Sequence, residues 1–323
     1  MKNIIGIGNA IVDIIIKIDN DKILKDLGFE KGSMTLIDKN KSEYIIKNFK
    51  ITEISTGGSA ANTIRGLSKL NIPCAFLGKV GNDEFGNFFI TETINSGTIS
   101  FIKYGSLPTG NAITFVTPDS ERTFATYLGS ASEIQSDDIK SIKLNNFEIL
   151  YYEGYLLDNQ QLTKTIFNLA KKNNLKIAID LSSYNVVENN KDFIQTILEF
   201  IDIIFANEAE AYALCQKNPE DSAKYLGKLC KTVIVKSGSK GSYIFNNNLF
   251  YIPPYEANVI DTTGAGDLYA AGFLFGYLKN YPIDISGKIG SYLASKVIED
   301  YGTKINNDKW NDIFQFIKNI TNY

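Results

Sequence analysis

Two rhythms of apolar and polar residues run along the chain. Short apolar runs predict buried strands at 3–8, 74–78, 147–152, 176–181, 202–206 and 232–236. Longer segments between and after them predict helices over 60–70, 83–96, 160–173, 190–200, 208–215, 219–230, 265–279, 285–300 and 308–319. Residues 11–18 alternate in part (Val12-Asp13-Ile14, Ile16-Lys17-Ile18) and read as a strand, as does 31–38. Residues 99–104 and 111–127 read as antiparallel strands turning at Pro118-Asp119-Ser120, and 242–253 as a hairpin. The regular strand–helix alternation from about residue 147 predicts an α/β fold, with a central, mostly parallel sheet flanked by helices. The strands within 11–50 and 99–128 cannot all join that sheet. They predict a small β-sheet lid over the active face, within a single domain spanning 1–323.

Composition narrows the chemistry. A hydrophobic share of 44% and a charged share of 21% describe an ordinary globular chain, and a formal charge of −3 gives no reason to expect nucleic acid as a partner. No apolar run approaches a membrane span. The N-terminal stretch is interrupted by Asp13 and Lys17 and lacks a small-residue cleavage site, so neither a membrane partner nor a signal peptide is expected. Cys74, Cys215 and Cys230 form no disulfide framework or metal motif, which suits a reducing cytoplasm. The chain has no histidine, which excludes Ser-His-Asp, Cys-His and HExxH chemistry and leaves proton transfer to carboxylates, Lys, Tyr or Cys. Every basic residue is lysine except Arg65 and Arg122. An arginine retained against that habit marks a place for a planar fork of donors, or else codon bias. Both readings stay open for Arg122, whereas Arg65, mid-helix, reads as a solvated face.

Five strings carry candidate chemistry. In Asp261-Thr262-Thr263-Gly264-Ala265-Gly266-Asp267, small residues open a helix whose first N–H groups form an anion site. Asp267 beside them is either a general base or an acid that stabilises a helix start. In Ser55-Thr56-Gly57-Gly58-Ser59-Ala60-Ala61-Asn62-Thr63, the glycine pair permits close approach and hinge motion. Asn62 offers donor and acceptor to a diol, and the plainer alternative is a helix start capped by Ser59. Gly6-Ile7-Gly8 is not a dinucleotide fingerprint, because Ile11 stands where the third small residue belongs. Asn207-Glu208-Ala209-Glu210 reads as an asparagine-capped helix with acids in its first turn. Val235-Lys236-Ser237-Gly238-Ser239-Lys240-Gly241 reads as a loop between strands. No GxxxxGK[ST] occurs, so P-loop chemistry is excluded.

The 261–273 and 55–63 strings resemble the C-terminal and N-terminal signatures of the PfkB (ribokinase-like) kinase family, and the resemblance runs from Asn3 to about Gly302. It implies a ribokinase-like fold that uses ATP and Mg²⁺. Asp267 would be the base, with Gly264, Ala265 and Gly266 as the anion hole. Asn9, Asp13, Gly57, Gly58 and Asn62 would bind the sugar. Arg122 would contact the transferring phosphate, and Lys236, Ser237, Gly238 and Gly241 the nucleotide. Asn207 and Glu210 would organise Mg²⁺ through water, and a monovalent cation such as K⁺ would sit near Asp261 and Thr263. Gly-Asn-Ala-Ile-Val-Asp at 8–13, Lys-Gly-Ser-Met-Thr-Leu-Ile-Asp at 31–38 and Glu-Gly-Tyr-Leu at 153–156 are most similar to the adenosine kinase branch, especially its bacterial members. There Ile11 and Tyr155 would line the base, although core packing explains either equally well. The implied reaction, a purine-salvage step, phosphorylates the 5′-hydroxyl of adenosine. The alternatives are a ribose or fructose kinase, an inosine or guanosine kinase, and a nucleoside-binding regulator without catalysis. An intact Asp267 argues against the last. Monomer and homodimer both stay open.

Overall fold

In the computed structural model, which describes residues 3–119 and 121–321, the apolar runs pair side by side. One nine-stranded sheet is ordered Asn248–Ile252, Ser242–Asn246, Thr232–Lys236, Ile203–Asn207, Lys176–Asp180, Ile149–Glu153, Ile4–Ile7, Cys74–Leu77, Ile99–Ser100. From Thr232–Lys236 to Ile99–Ser100 every pairing is parallel, and the hairpin at the other end is antiparallel. Successive residues of a strand enter different cores. Ile4, Tyr151 and Phe205 pack with Ile64, Leu268 and Ile289 of the helices Ser59–Lys69, Ala265–Leu278 and Ile283–Val297. Ile5, Tyr152 and Ile204 pack with Ile166, Ala211 and Ala223 of Gln160–Lys172, Glu208–Cys215 and Pro219–Leu226. Burial on both faces is why these strands appear as apolar runs rather than alternations.

A second sheet of five strands is ordered Met34–Leu36, Arg122–Gly129, Thr109–Val116, Ile11–Lys17, Glu53–Thr56. It is two-faced. Val12, Ile14, Ile16, Ile113, Phe115 and Ala125 are buried together with Leu24, Phe29 and Ile45 from the chain's own covering segments. Ile11, Asp13, Leu36, Ala112, Phe124 and Leu128 face a cleft.

The strand expectations need three corrections. Residues 99–104 do not join the small sheet: Ile99–Ser100 extends the large sheet beside Cys74–Leu77, and Lys103–Tyr104 pairs with Lys79–Val80. The small sheet also takes Glu53–Thr56, outside the expected ranges. Residues 39–48 are helical, started by Asp38, whose side chain accepts from the Lys41 N–H at 2.8 Å. Of the expected turn 118–120, Ser120 lies outside the described residues.

Candidate active site

Four neighbouring parallel strands end in a polar residue at one edge of the large sheet: Glu153, Asp180, Asn207 and Lys236. Register sets Glu153 beside Asp180 and Asn207 beside Lys236. The carboxyl ends of parallel strands are where open α/β sheets collect ligand-binding groups. Lys236 Nζ donates to Asp180 Oδ2 at 2.9 Å. Burial alone would lower the Lys236 pKa, but the negative charges of Asp180 and Glu210 outweigh it and the value is raised.

Two helices start at this edge, each after a glycine with positive φ: Gly58 at 84° and Gly264 at 77°. A side chain at Gly58 would also collide with the carbonyl of Asn9. Among the described residues no side chain caps either helix, so the expected Ser59 cap is replaced by a different contact. Ser59 Oγ donates to Asp267 Oδ1 at 2.7 Å, and Asn62 Nδ2 donates to Asp267 Oδ2 at 2.8 Å. Thr63 Oγ1 adds a bond to the Asp267 carbonyl at 3.1 Å. The two signature strings therefore converge on one carboxylate. Burial pushes Asp267 up to about 6, against the pull of the Ser59 and Asn62 hydrogen bonds.

Asn9 is held by a residue absent from the expected site. Glu153 Oε1 accepts from the Asn9 N–H at 3.2 Å and from Asn9 Nδ2 at 2.7 Å, while Oε2 accepts from the Ala60 N–H at 2.9 Å. Burial pushes Glu153 up to about 7 even with these donors. Asp13 packs against Gly57, where a β-carbon would collide with its carboxyl group, and burial pushes it up to about 7 while Arg65 pulls the other way.

Arg65 corrects the solvated-face expectation. Its Nη2 donates to the Thr56 carbonyl at 2.7 Å and to Asn62 Oδ1.

Asn207 and Glu210 form a reciprocal cap. The Glu210 N–H donates to Asn207 Oδ1 at 2.9 Å, and the Glu210 carboxylate accepts from the Asn207 N–H at 2.8 Å and Nδ2 at 2.6 Å. Burial, with Asp180 nearby, pushes Glu210 up to about 7. Among the described residues no cluster of acids or cysteines is arranged to ligate a metal directly.

Arg122 reaches from the small sheet to the loop before Gly264. Its Nη1 donates to Asp261 Oδ1 and, at 2.6 Å, to Thr263 Oγ1. Asp261 also accepts from the N–H groups of Thr263 and Gly302 at 2.8 and 2.7 Å. These oxygens already hold a guanidinium, so in this arrangement they do not fit the monovalent cation expected there.

The cleft between the sheets measures about 1560 Å³. Asn9, Ile11, Asp13, Gly58, Asn62, Tyr155, Asn207, Glu210, Lys236, Gly238, Gly241, Ala265, Gly266 and Asp267 line it. Gly57, Arg122, Ser237, Asp261 and Gly264 are not among its lining residues. Ser237 is buried, and its hydroxyl has no hydrogen-bond partner among the described residues. Ser59, Arg65, Glu153 and Asp180 are the site residues that sequence reasoning missed. For Glu153 and Asp180 a signal existed, a polar residue closing an apolar strand. Arginine scarcity singled out Arg65, although its direction was misread.

The pattern of the pfkB family of carbohydrate kinases matches residues 32–310. A probable sugar kinase from Rhizobium etli is 30% identical, with a TM-score of 0.89 and coverage of 98% of both chains. Adenosine kinase from Sinorhizobium meliloti is 31% identical, with a TM-score of 0.87, covering 98% of this chain and 99% of its own. A 5-dehydro-2-deoxygluconokinase from Mesomycoplasma hyopneumoniae is 30% identical over 79% of this chain and 82% of its own. With the two signature strings meeting at a buried carboxylate, the chain belongs to the pfkB family of carbohydrate kinases and is a phosphotransferase acting on a hydroxyl group.

Proposed function

We propose that the protein phosphorylates the 5′-hydroxyl of a purine nucleoside, adenosine foremost, with ATP as donor. The observation that carries this reading is the acceptor end of the cleft. Its lining combines Asn9, Asp13, Asn62 and Asp267, which suit ribose hydroxyls, with Ile11, Leu36, Phe124 and Leu128, which suit an aromatic base. Leu36 is 63% exposed in that lining, an apolar surface with no use in binding a small sugar. A gluconate-type acceptor brings a carboxylate. Among the described residues lining the cleft, Lys236 is the one cation, and it is paired with Asp180.

In this reading Asp267 takes the proton of the attacking hydroxyl, its pKa of about 6 placing it as an ionised base near neutral pH. The helix start at Gly264, Ala265 and Gly266 receives the charge of the transferring phosphoryl group. Lys236 and the loop of Ser237, Gly238 and Gly241 hold the nucleotide phosphates. Asn207 and Glu210 would hold Mg²⁺ through water, and the ion would neutralise phosphate charge. The small sheet acts as a lid hinged at Gly57-Gly58. Its outer face is covered by the chain's own segments around Leu24 and Ile45, which favours a monomer.

The test is kcat/KM for adenosine, inosine, guanosine, ribose, fructose and 5-dehydro-2-deoxygluconate with MgATP. Adenosine should rank first. A sugar or sugar acid that outranks every nucleoside overturns the assignment.

A further inference from the structure

Arg65 lies one helical turn beyond Asn62, and its guanidinium bonds both the Thr56 carbonyl and Asn62 Oδ1. Arginine only donates, so Asn62 must turn its oxygen towards Arg65 and its amide hydrogens the opposite way. There Asp267 Oδ2 accepts at 2.8 Å. A reversed amide would set oxygen against carboxylate oxygen and leave the guanidinium facing an NH₂ group. We propose that Arg65 is a positioning residue, which locks the Asn62 amide so that a donor always faces Asp267 and the acceptor's hydroxyls meet one fixed amide. The proposal rests on hydroxyl phosphorylation with Asp267 as base.

Arg65 also ties this element to the Glu53–Thr56 strand, the edge of the small sheet that runs into Gly57-Gly58. In a chain that otherwise uses lysine, a planar group that reads a carbonyl and an amide oxygen together explains the arginine. Burial lowers the Arg65 pKa to about 10, so it stays charged at neutral pH. The charges facing it are Asp13, Asp267 and Glu92, and Glu92 is paired with Lys304 at 2.9 Å. Those facing Asp267 are Asp180 and Lys236, alongside the Ser59 and Asn62 donors, and the field of Asp267 is felt by Asp13, Glu153 and Glu210. Loss of the Asn62 donor removes stabilisation from the ionised form alone, so the Asp267 pKa must rise.

A double-mutant cycle tests this, with wild type, Arg65→Met, Asn62→Ala and the pair compared in kcat, both KM values and the acidic limb of the rate profile. In the wild-type background, Arg65→Met should lower kcat/KM for the acceptor by about tenfold and move the acidic limb up by about one pH unit. KM for ATP should hold. In the N62A background the same change should alter the acceptor's kcat/KM by less than about twofold. Equal losses in both backgrounds would overturn the proposal, because Arg65 would then act by charge or by folding alone. If Arg65→Met does not fold, Arg65→Lys goes through the same cycle and must show the same dependence on Asn62. Asp267→Asn, assayed alongside, separates the two claims: a near-normal rate there defeats the base assignment, whereas the Arg65–Asn62 coupling is read from the acceptor's kcat/KM across the cycle.

Discussion

The two helices that meet at Asp267 share a glycine opening, differ in its ψ (120° at Gly58, −3° at Gly264), and are filled in opposite ways. Each follows a glycine with positive φ and has no capping side chain. At Ser59–Lys69 the first turn is already occupied, because Glu153 takes the Ala60 N–H and its other oxygen holds Asn9. At Ala265–Leu278 no carboxylate among the described residues plugs the start, and Asp267 turns sideways to Ser59 and Asn62. An unplugged helix N-terminus is an anion site, whereas one plugged by a fixed carboxylate is a rigid mount. A positive-φ glycine thus opens a free helix start on one side and a carboxylate-filled one on the other.

The largest effect expected comes from removing the charge between the helices. Asp267→Asn keeps size and can still bond Ser59 or Asn62, so folding should survive, while kcat falls by roughly 10²–10⁴ and both substrates still bind by calorimetry. A variant that turns over near the wild-type rate removes Asp267 from the chemistry.

Next comes the plug. Glu153→Gln replaces one accepting oxygen by an NH₂ group, so one of the Asn9 and Ala60 donors is left facing a donor in a buried place. An unpaired buried donor costs about 1–3 kcal/mol. Tm should fall and acceptor KM should rise with ATP KM unchanged; equal loss of both affinities would mean that the plug supports the whole cleft rather than one helix start.

Arg122→Lys sharpens the contrast on the open side, because Arg122 holds Asp261 and Thr263 in front of Gly264. Charge is kept and the fork is lost, so kcat should drop several-fold with little change in acceptor KM. Unchanged kcat assigns this contact to packing alone.

The smallest effect is a pH slope in stability. Asp13, Glu153, Glu210 and Asp267 are pushed by burial from ordinary carboxyl values of 3.8 or 4.5 to about 6 or 7. The folded state therefore binds more protons than the unfolded chain between those values, and stability falls as pH rises through the window. Tm of the ligand-free protein should be higher at about pH 5 than at about pH 8, and Asp13→Asn should flatten the slope. Activity runs the other way, since Asp267 must be ionised to act. A flat Tm profile would show that water reaches these groups.

Much of this was legible in the chain. The parallel strands announce themselves because burial on both faces demands unbroken apolar runs, as in Ile203–Asn207. The glycine strings fixed where helices begin, because only glycine turns there without strain. The helix at 39–48 was not legible, since few of its residues pack inward and its start rests on one aspartate. Ile99–Ser100 is too short to reveal which sheet it joins.

By itself the sequence determined the class of fold, the absence of histidine chemistry, and the small-residue helix start that carries Asp267, because these depend on local backbone freedom and side-chain type. Tertiary structure alone decided which groups surround that carboxylate. Ser59 and Asn62 lie more than 200 residues from it, 208 and 205 positions away. Arg65 could be solvated or buried on the same helix, and Glu153 could be one more strand residue. Periodicity reports which face of an element is apolar, but a hydrogen bond between elements depends on how they are packed, and only the folded chain sets that.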